Sequence, residues 1–375
     1  MTWIAATKAA LPSFCYSQST LAALFKKYCV AMGYDLDHDL IDGLFTNAMI
    51  RERHFALPLD SFFEPPTRHA ANEAALSVAV DLSTKMVREM LDEVGCAPGE
   101  ISRITSMMTT VISIPTLDAR VMEHIDFPDH VKRVPLNGLG CMGGAAGLSR
   151  VHDYLVGHPE EAALLLCVEL GGSMYWQGGL QGYLRSAMPR LAEDPAVFSE
   201  VVSQVISGAL FGDCLTAALL VGDGHRLAGR GMPRVVDNRS ITLRRTVSVM
   251  NVDVMDDGFK NILSPDVPRY ASTALRAALE PLLGKHGLGI GDLRHYMIHP
   301  GGPKVLQVVQ DDLGLTDQAL ALSRDVLARI GNVSAPTVLY MLDEAVRRSR
   351  PAQGSYGVMA SMGPGFSEEV VLLQW

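Results

Sequence analysis

The sequence predicts a layered α/β protein made of two duplicated halves, with sheets sandwiched by helices, and three landmarks recurring at one spacing carry that prediction. Gly99, in a loop before a strand, falls on Gly291 at an offset of 192. Gly140-Cys141 falls on Gly331-Asn332 at 191, each pair being a glycine and a polar residue ahead of a helical segment. Gly171 falls on Gly363 at 192, each at the end of a strand (162–170 and 356–362). The last strands break the rule: 216–220 matches 369–373 only at an offset of 153. The first half therefore carries about 39 additional residues, the difference between 192 and 153, roughly over 173–211.

Taken in order, a short strand at 3–7 precedes helices at 17–33 and 37–48, the first opened by Ser17, a capping residue type, with apolar positions at helical spacing. A small basic cluster, Arg51 and Arg53, lies before the Pro-rich loop at 63–66; read alone it is a solvated face. A long amphipathic helix at 72–94 leads into the first duplicated strand, and the helix at 269–286 leads into its counterpart. Helices at 144–156 and 337–347 follow the two Gly-polar pairs. The extra segment at 173–211 is rich in Gly, Ser and aromatics; it reads either as a surface excursion or as a lid or pocket wall. No Pro- or Ser-rich linker separates the halves, which divide at the glycine-rich turn 222–229 into 1–224 and 225–375.

At 375 residues, 48% hydrophobic and 19% charged, the chain is long and apolar enough for a large core. A net charge of −9 argues against general affinity for nucleic acid or anionic membranes. Six cysteines show no C-x-x-C pair and no metal-ligand spacing, so no metal site is expected, and reduced thiols in a cytoplasm are the simplest reading. No leader pattern and no run long enough to span a membrane is seen, so a soluble, unprocessed protein is expected.

Duplication brings equivalent helix starts together, so Cys141 and Asn332 are expected to face one cavity, with His299 at a strand end beside them. A helix N-terminus and an imidazolium both stabilise a thiolate, which makes Cys141 a candidate nucleophile, and its flanking glycines are expected to let substrate approach the backbone. Blander readings stand beside each: a lone cysteine is usually a small buried hydrophobe, and Asn332 can simply cap the helix beginning near Ser334.

The motifs Leu139-Gly-Cys-Met-Gly-Gly-Ala145, Leu210-Phe-Gly-Asp213, Ile298-His-Pro-Gly-Gly-Pro-Lys-Val-Leu306, Gly331-Asn-Val-Ser-Ala-Pro-Thr337 and Met362-Gly-Pro-Gly-Phe366 resemble, in order and spacing, the type III polyketide synthases of the chalcone-synthase family over roughly 50–375. That resemblance implies a thiolase-like fold, layered αβαβα, a homodimer, and decarboxylative condensation of malonyl-CoA onto an acyl-CoA starter, with no cofactor beyond the CoA thioesters. It implies Cys141 as the acyl-carrying nucleophile, with His299 and Asn332 supporting its thiolate and the thioester oxygen. Phe211 resembles the gatekeeper phenylalanine; the second gatekeeper position falls near Met250 and is not phenylalanine. Thr109 and Thr110 resemble the cavity-lining pair, and Ile114 the loop that closes the partner's pocket. Gly171 and Gly172, followed by Ser173 and Met174, stand in a cavity-lining run where lost side chains are expected to open a tunnel for an alkyl chain. Ser334, Gly363 and Pro364 are placed on the same pocket. Arg51, Arg53, Gly301, Gly302 and Lys304 are placed at the coenzyme A mouth. The product implied is a pyrone or resorcinol-type ring, with a fatty acyl starter favoured. An initiating β-ketoacyl synthase and a catalytically silent acyl-CoA-binding protein are the alternatives.

Overall fold

In the computed structural model, which describes residues 1–191, 193–255, 258–349 and 351–375, the first half runs β1 (Thr2–Ala10), β2 (Phe14–Ser17), α1 (Gln18–Ala31), α2 (His38–Asn47), β3 (Glu52–Phe55), α3 (Arg68–Val94), β4 (Ile101–Met107), α4 (Leu117–Met122), β5 (Lys132–Leu136), α5 (Gly143–Val156), β6 (Ala162–Leu170), α6 (Gly171–Met174), α7 (Leu180–Leu191), α8 (Ala196–Leu210) and β7 (Asp213–Gly222). The second runs β8 (Arg234–Thr242), β9 (Met250–Met255), β10 (Gly258–Leu263), α9 (Val267–Lys285), β11 (Leu293–Ile298), α10 (Pro303–Leu313), α11 (Ala321–Ile330), α12 (Pro336–Glu344), β12 (Tyr356–Gly363) and β13 (Ser367–Gln374). The glycine-rich turn at 222–229 lies in the connection between β7 and β8.

The repeat is visible at the level of single hydrogen bonds. Glu100 Oε1 accepts the Ala97 N–H at 2.7 Å in the turn before β4, and Asp292 Oδ2, 192 residues later, accepts the Gly289 N–H at 2.8 Å before β11. Both acids close a short 3-10 turn that releases the chain into a parallel strand. Nine strands then form one sheet in the order β11-β12-β13-β8-β1-β7-β6-β4-β5. Its two parts meet at the pairing of Thr2 with Val235 and Trp3 with Arg234. Every residue of β6 and β7 is buried, which is why their sequences read as near-continuous apolar runs rather than alternating ones.

The layers follow from which apolar face each helix buries. Ala75, Met86, Val87 and Met90 of α3 pack on Ile104, Leu164 and Leu215 of the first part of the sheet. Leu275, Leu279 and Leu282 of α9, with Leu306 and Val309 of α10, cover the outer face of the second. Between the two parts lie α5 and α12, with Leu148, Val151 and Val338 in the same core as Leu165, Leu220 and Met359. The expected five-layer α/β arrangement is therefore present.

Two segments sit outside the repeat. The inserted α7 and α8 join α1 and α2 around the fully buried Trp176 in a fourth core, so the insertion is no loose surface excursion. Hairpin β9–β10 forms a separate two-stranded sheet between β8 and α9.

Candidate active site

Cys141 is placed by glycines that serve packing more than access. Gly140 turns the chain with φ +52°, and a tight 3-10 turn, Gly140–Met142, feeds α5. A Cβ on Gly143 would lie 1.7 Å from Met107 Sδ, and one on Gly144 would lie 2.1 Å from the Ala335 carbonyl oxygen. These two glycines seat α5 against β4 and the head of α12; the expectation that they bare the backbone to substrate is corrected. Gly140 does reach the cavity, with Pro364 Cδ filling the space beside it, 2.7 Å from where a Cβ would stand.

The matching turn before α12 is entered through Gly331 at φ +74°. Asn332 is buried, and its Oδ1 accepts the Ser334 N–H at 2.8 Å. That bond holds Ser334 at φ +58°, a region non-glycine residues seldom occupy. With its oxygen used in the turn, the Asn332 carboxamide keeps its Nδ2 hydrogens as donors. Asn332 is also stitched to the insertion: its N–H bonds the Leu210 carbonyl at 2.9 Å and its carbonyl accepts the Gly212 N–H at 3.0 Å, on either side of Phe211.

His299 follows β11, its N–H bonded to the Ala360 carbonyl of β12 at 2.8 Å. One residue on, Ser361 Oγ bonds the carbonyl of Met142, beside Cys141, at 3.2 Å. The imidazole is 1% exposed, and neither ring nitrogen has a hydrogen-bond partner among the described residues. An unpaired buried polar group costs about 1–3 kcal/mol, so two on one ring mark a group held for chemistry rather than for packing. Burial pushes this imidazole down to about 3 and the Cys141 thiol up to about 11, the latter opposed by a hydrogen bond with Ser334. Burial thus opposes each charge singly, and a thiolate here needs a matching positive charge made by proton transfer.

Cys141 opens on an apolar cavity of about 210 Å³. Thr109, Thr110, Phe211, Ser334 and Pro364 line it, as do Gly171, Met174 and Met250. His299, Asn332 and Gly363 do not form its wall. A Cβ at Gly363 would stand 2.3 Å from the Leu139 carbonyl oxygen, so that position braces the Cys141 turn, and its placement on the pocket is corrected. Gly172 is likewise filled: a Cβ there would meet Asp213 Oδ1, Gly212 Cα and the Phe211 oxygen, each at 3.0 Å. Only Gly171 leaves cavity space, with Thr110 Cγ2 3.4 Å from a Cβ, so the expected two-residue tunnel is reduced to one position.

The placement of Arg53 at a coenzyme A mouth is overturned. Its side chain is fully buried, with Nη1 donating to the carbonyls of Gly208 and Phe211 at 2.7 Å each and the guanidinium over the rings of Phe55 and Trp176. Burial lowers it to about 9, against the pull of Asp213, itself raised by burial to about 6. Alternation along β3 puts Arg53 on the inward face with Phe55, whereas Arg51 lies before the strand, outside that alternation, and is exposed, 3.8 Å from Asp325. Lys304 is exposed in the first turn of α10, after Gly301 and Gly302. Ile114 is 93% exposed and stands outside the wall of the Cys141 cavity.

Several wall residues escaped the sequence reading. Glu169, at the end of β6, is buried with its carboxylate accepting the backbone N–H groups of Thr109 and Thr110 and, at 2.6 Å, the Thr110 hydroxyl. A lone acid in an otherwise apolar strand was the available signal. Arg68, Tyr175, Val252, Asn261 and Leu263 also line the cavity and had none.

Residues 1–178 match the family model for chalcone and stilbene synthases, N-terminal domain, and residues 237–375 that for the C-terminal domain. A 1,3,6,8-tetrahydroxynaphthalene synthase of Streptomyces peucetius subsp. caesius is 36% identical over 100% of this chain and 93% of its own. An alpha-pyrone synthesis polyketide synthase-like protein of Mycobacterium tuberculosis is 28% identical over 88% of this chain and 81% of its own. Among solved structures, the 1,3,6,8-tetrahydroxynaphthalene synthase of Streptomyces coelicolor A3(2) superposes with a TM-score of 0.86 at 24% identity, covering 100% of this chain and 99% of that one. The chain belongs to the chalcone and stilbene synthase family and is a type III polyketide synthase, an acyl-transferring enzyme.

Proposed function

We propose that Cys141 carries the growing acyl chain, and that repeated condensation with malonyl-CoA ends in a pyrone or resorcinol-type ring. The observation that carries this reading is a cysteine at the head of α5 opening on an apolar cavity of about 210 Å³. Cys141 Sγ gives its proton to His299 and attacks the starter thioester carbonyl; the C–S bond to coenzyme A breaks, and the departing sulfur takes that proton from His299 and leaves as the free thiol. Malonyl-CoA then loses carbon dioxide, and the electron pair of the broken C–C bond moves into an enolate whose charge gathers on the thioester oxygen. Asn332 Nδ2 and His299 donate to that oxygen, and fixed donors in a dry site are worth most where charge develops. The enolate carbon attacks the Cys141-bound carbonyl, a C–C bond forms, and Sγ leaves as thiolate for the next cycle.

Arg51 and Lys304 are proposed to meet the coenzyme A phosphates, which an acidic protein can attract only through local cations. Ile114, extended into solvent, supports a homodimer in which this loop closes the partner's pocket. Six free cysteines support a reducing, cytoplasmic setting; no described helix is long and apolar enough to cross a membrane.

The test is incubation with malonyl-CoA and a panel of acetyl, hexanoyl, long-chain acyl and aromatic CoA starters, read by mass spectrometry. Products from at least two extensions of an alkyl starter support the proposal, whereas a single condensation would assign an initiating ketoacyl synthase. The relative named 1,3,6,8-tetrahydroxynaphthalene synthase favours a second reading, in which the product is a hydroxylated naphthalene that keeps no alkyl starter. A product formed with no added starter would select it.

A further inference from the structure

Hairpin β9–β10 pairs with no strand of the main sheet, and a two-stranded hairpin standing alone is marginal in water. It nevertheless builds one wall of the cavity. Its register sets Val252 opposite Asn261 and Met250 opposite Leu263, so these four side chains share one face, and all four line the cavity. The Asn261 carboxamide is the one polar group on that face, and it makes no hydrogen bond to any described residue.

What fixes the wall is a side chain from the insertion. Gln204 of α8 is fully buried; its Nε2–H bonds the Asn261 carbonyl at 2.6 Å, and its Oε1 accepts the Asn261 N–H at 3.2 Å. The side-chain amide thus takes the place of a third strand at one residue of β10. One helical turn earlier, Glu200 of α8 pairs with Lys260 Nζ at 2.8 Å. Tyr175, on the cavity wall, places its hydroxyl 2.9 Å from Gln204 Oε1.

We infer that Gln204 is a positioning residue for chain extension: by clamping Asn261 it fixes the hairpin wall against which the Cys141-bound chain folds, and so sets how many extensions precede release and how the chain closes. The inference rests on the reading of Cys141 as the acyl carrier. A fixed wall restricts the conformers of a flexible chain, and a loosened one admits others.

The experiment uses the full chain, malonyl-CoA and the starter that the panel selects, with Gln204→Leu, which keeps the volume and removes both bonds. Two quantities are read: single-turnover acylation of Cys141 by the starter, and the ratio of short, early-released products to the full-length one. Acylation is expected to stay within about twofold, while the product ratio shifts about tenfold, the scale of two ordinary hydrogen bonds. An unchanged ratio in Gln204→Leu overturns the inference, as does a parallel loss of acylation and product, which marks a merely structural role. Should Gln204→Leu fail to fold, Lys260→Met removes only the neighbouring tether; a smaller shift in the same direction supports the clamp and none overturns it. Absence of acylation in the wild type would instead overturn the role given to Cys141.

Discussion

The heads of α5 and α12 are built to one plan and end in different chemistry. Each is entered through a positive-φ glycine, Gly140 or Gly331, and each glycine stands where a side chain would collide, with Pro364 in one case and with the Leu210 carbonyl, 2.8 Å away, in the other. Beyond that point the halves diverge. Cys141 leaves its sulfur on the cavity, whereas Asn332 commits its oxygen to the Ser334 turn and keeps its donors. Duplication therefore supplies two helix heads pressed together; the residues that differ, and the insertion found in one half only, supply the asymmetry between them.

The largest way to break the shared plan is to force the heads apart. Gly144→Val puts a branched side chain where even a Cβ lies 2.1 Å from the Ala335 carbonyl oxygen, and is expected to cost ~3 kcal/mol or more by overpacking at a backbone atom that cannot give way. Thermal melting checks it, with Gly157→Ala, whose Cβ has a nearest neighbour at 3.6 Å, as the tolerated control at the other end of α5.

Next in size is the contrast between the two arginines. Arg53→Met strips the Phe211 carbonyl of its donor, leaves the Gly208 carbonyl to Trp176 Nε1 alone and leaves Asp213 without its cation, a loss of ~2–4 kcal/mol read as lowered melting temperature. The folded fraction should keep its KM for malonyl-CoA. Arg51→Glu is expected to do the reverse, raising KM several-fold, on the order of 1 kcal/mol of binding, at unchanged melting temperature.

A pH profile sharpens the comparison of the two sides of the site. Burial raises the Cys141 thiol, with the Ser334 hydrogen bond pulling the other way, and proton transfer to His299 is what would offset it. With His299→Ala no imidazole can take the proton, so the midpoint for alkylation of Cys141 should rise above the wild-type value, and the rate near neutral pH should fall because less thiolate is present. In the wild type the midpoint should lie lower. Equal midpoints in the two proteins would remove His299 from the support of the thiolate. The smallest expected change is Gly171→Ala, whose Cβ makes ordinary contact with Thr110; it should fold normally and move starter preference toward shorter chains, by no more than a few-fold per methyl-sized volume.

The duplicated frame was legible because both copies keep the same turn chemistry, down to Glu100 and Asp292 closing equivalent turns. Cys141 and Asn332 were legible through it. Arg53 was not: Arg51-Glu-Arg53 reads as a solvated run, and only the start of β3 after Arg51, with Arg53 on the face that packs on Trp176 of the distant insertion, separates the two arginines. Asn261 carried no local signal, since its meaning depends on a hairpin register and on a helix far away in sequence. Gly172 and Gly363 looked like open space and are filled by backbone and side-chain atoms of other elements, a fact that belongs to packing and not to composition.

Whether Cys141 holds the acyl chain decides the proposed reaction most directly. Intact-protein mass spectrometry after brief exposure to an acyl-CoA, followed by peptide mapping, should show one added acyl group on Cys141 in the wild type and none in Cys141→Ala. Acylation at another residue, or an equal mass gain in Cys141→Ala, would contradict it.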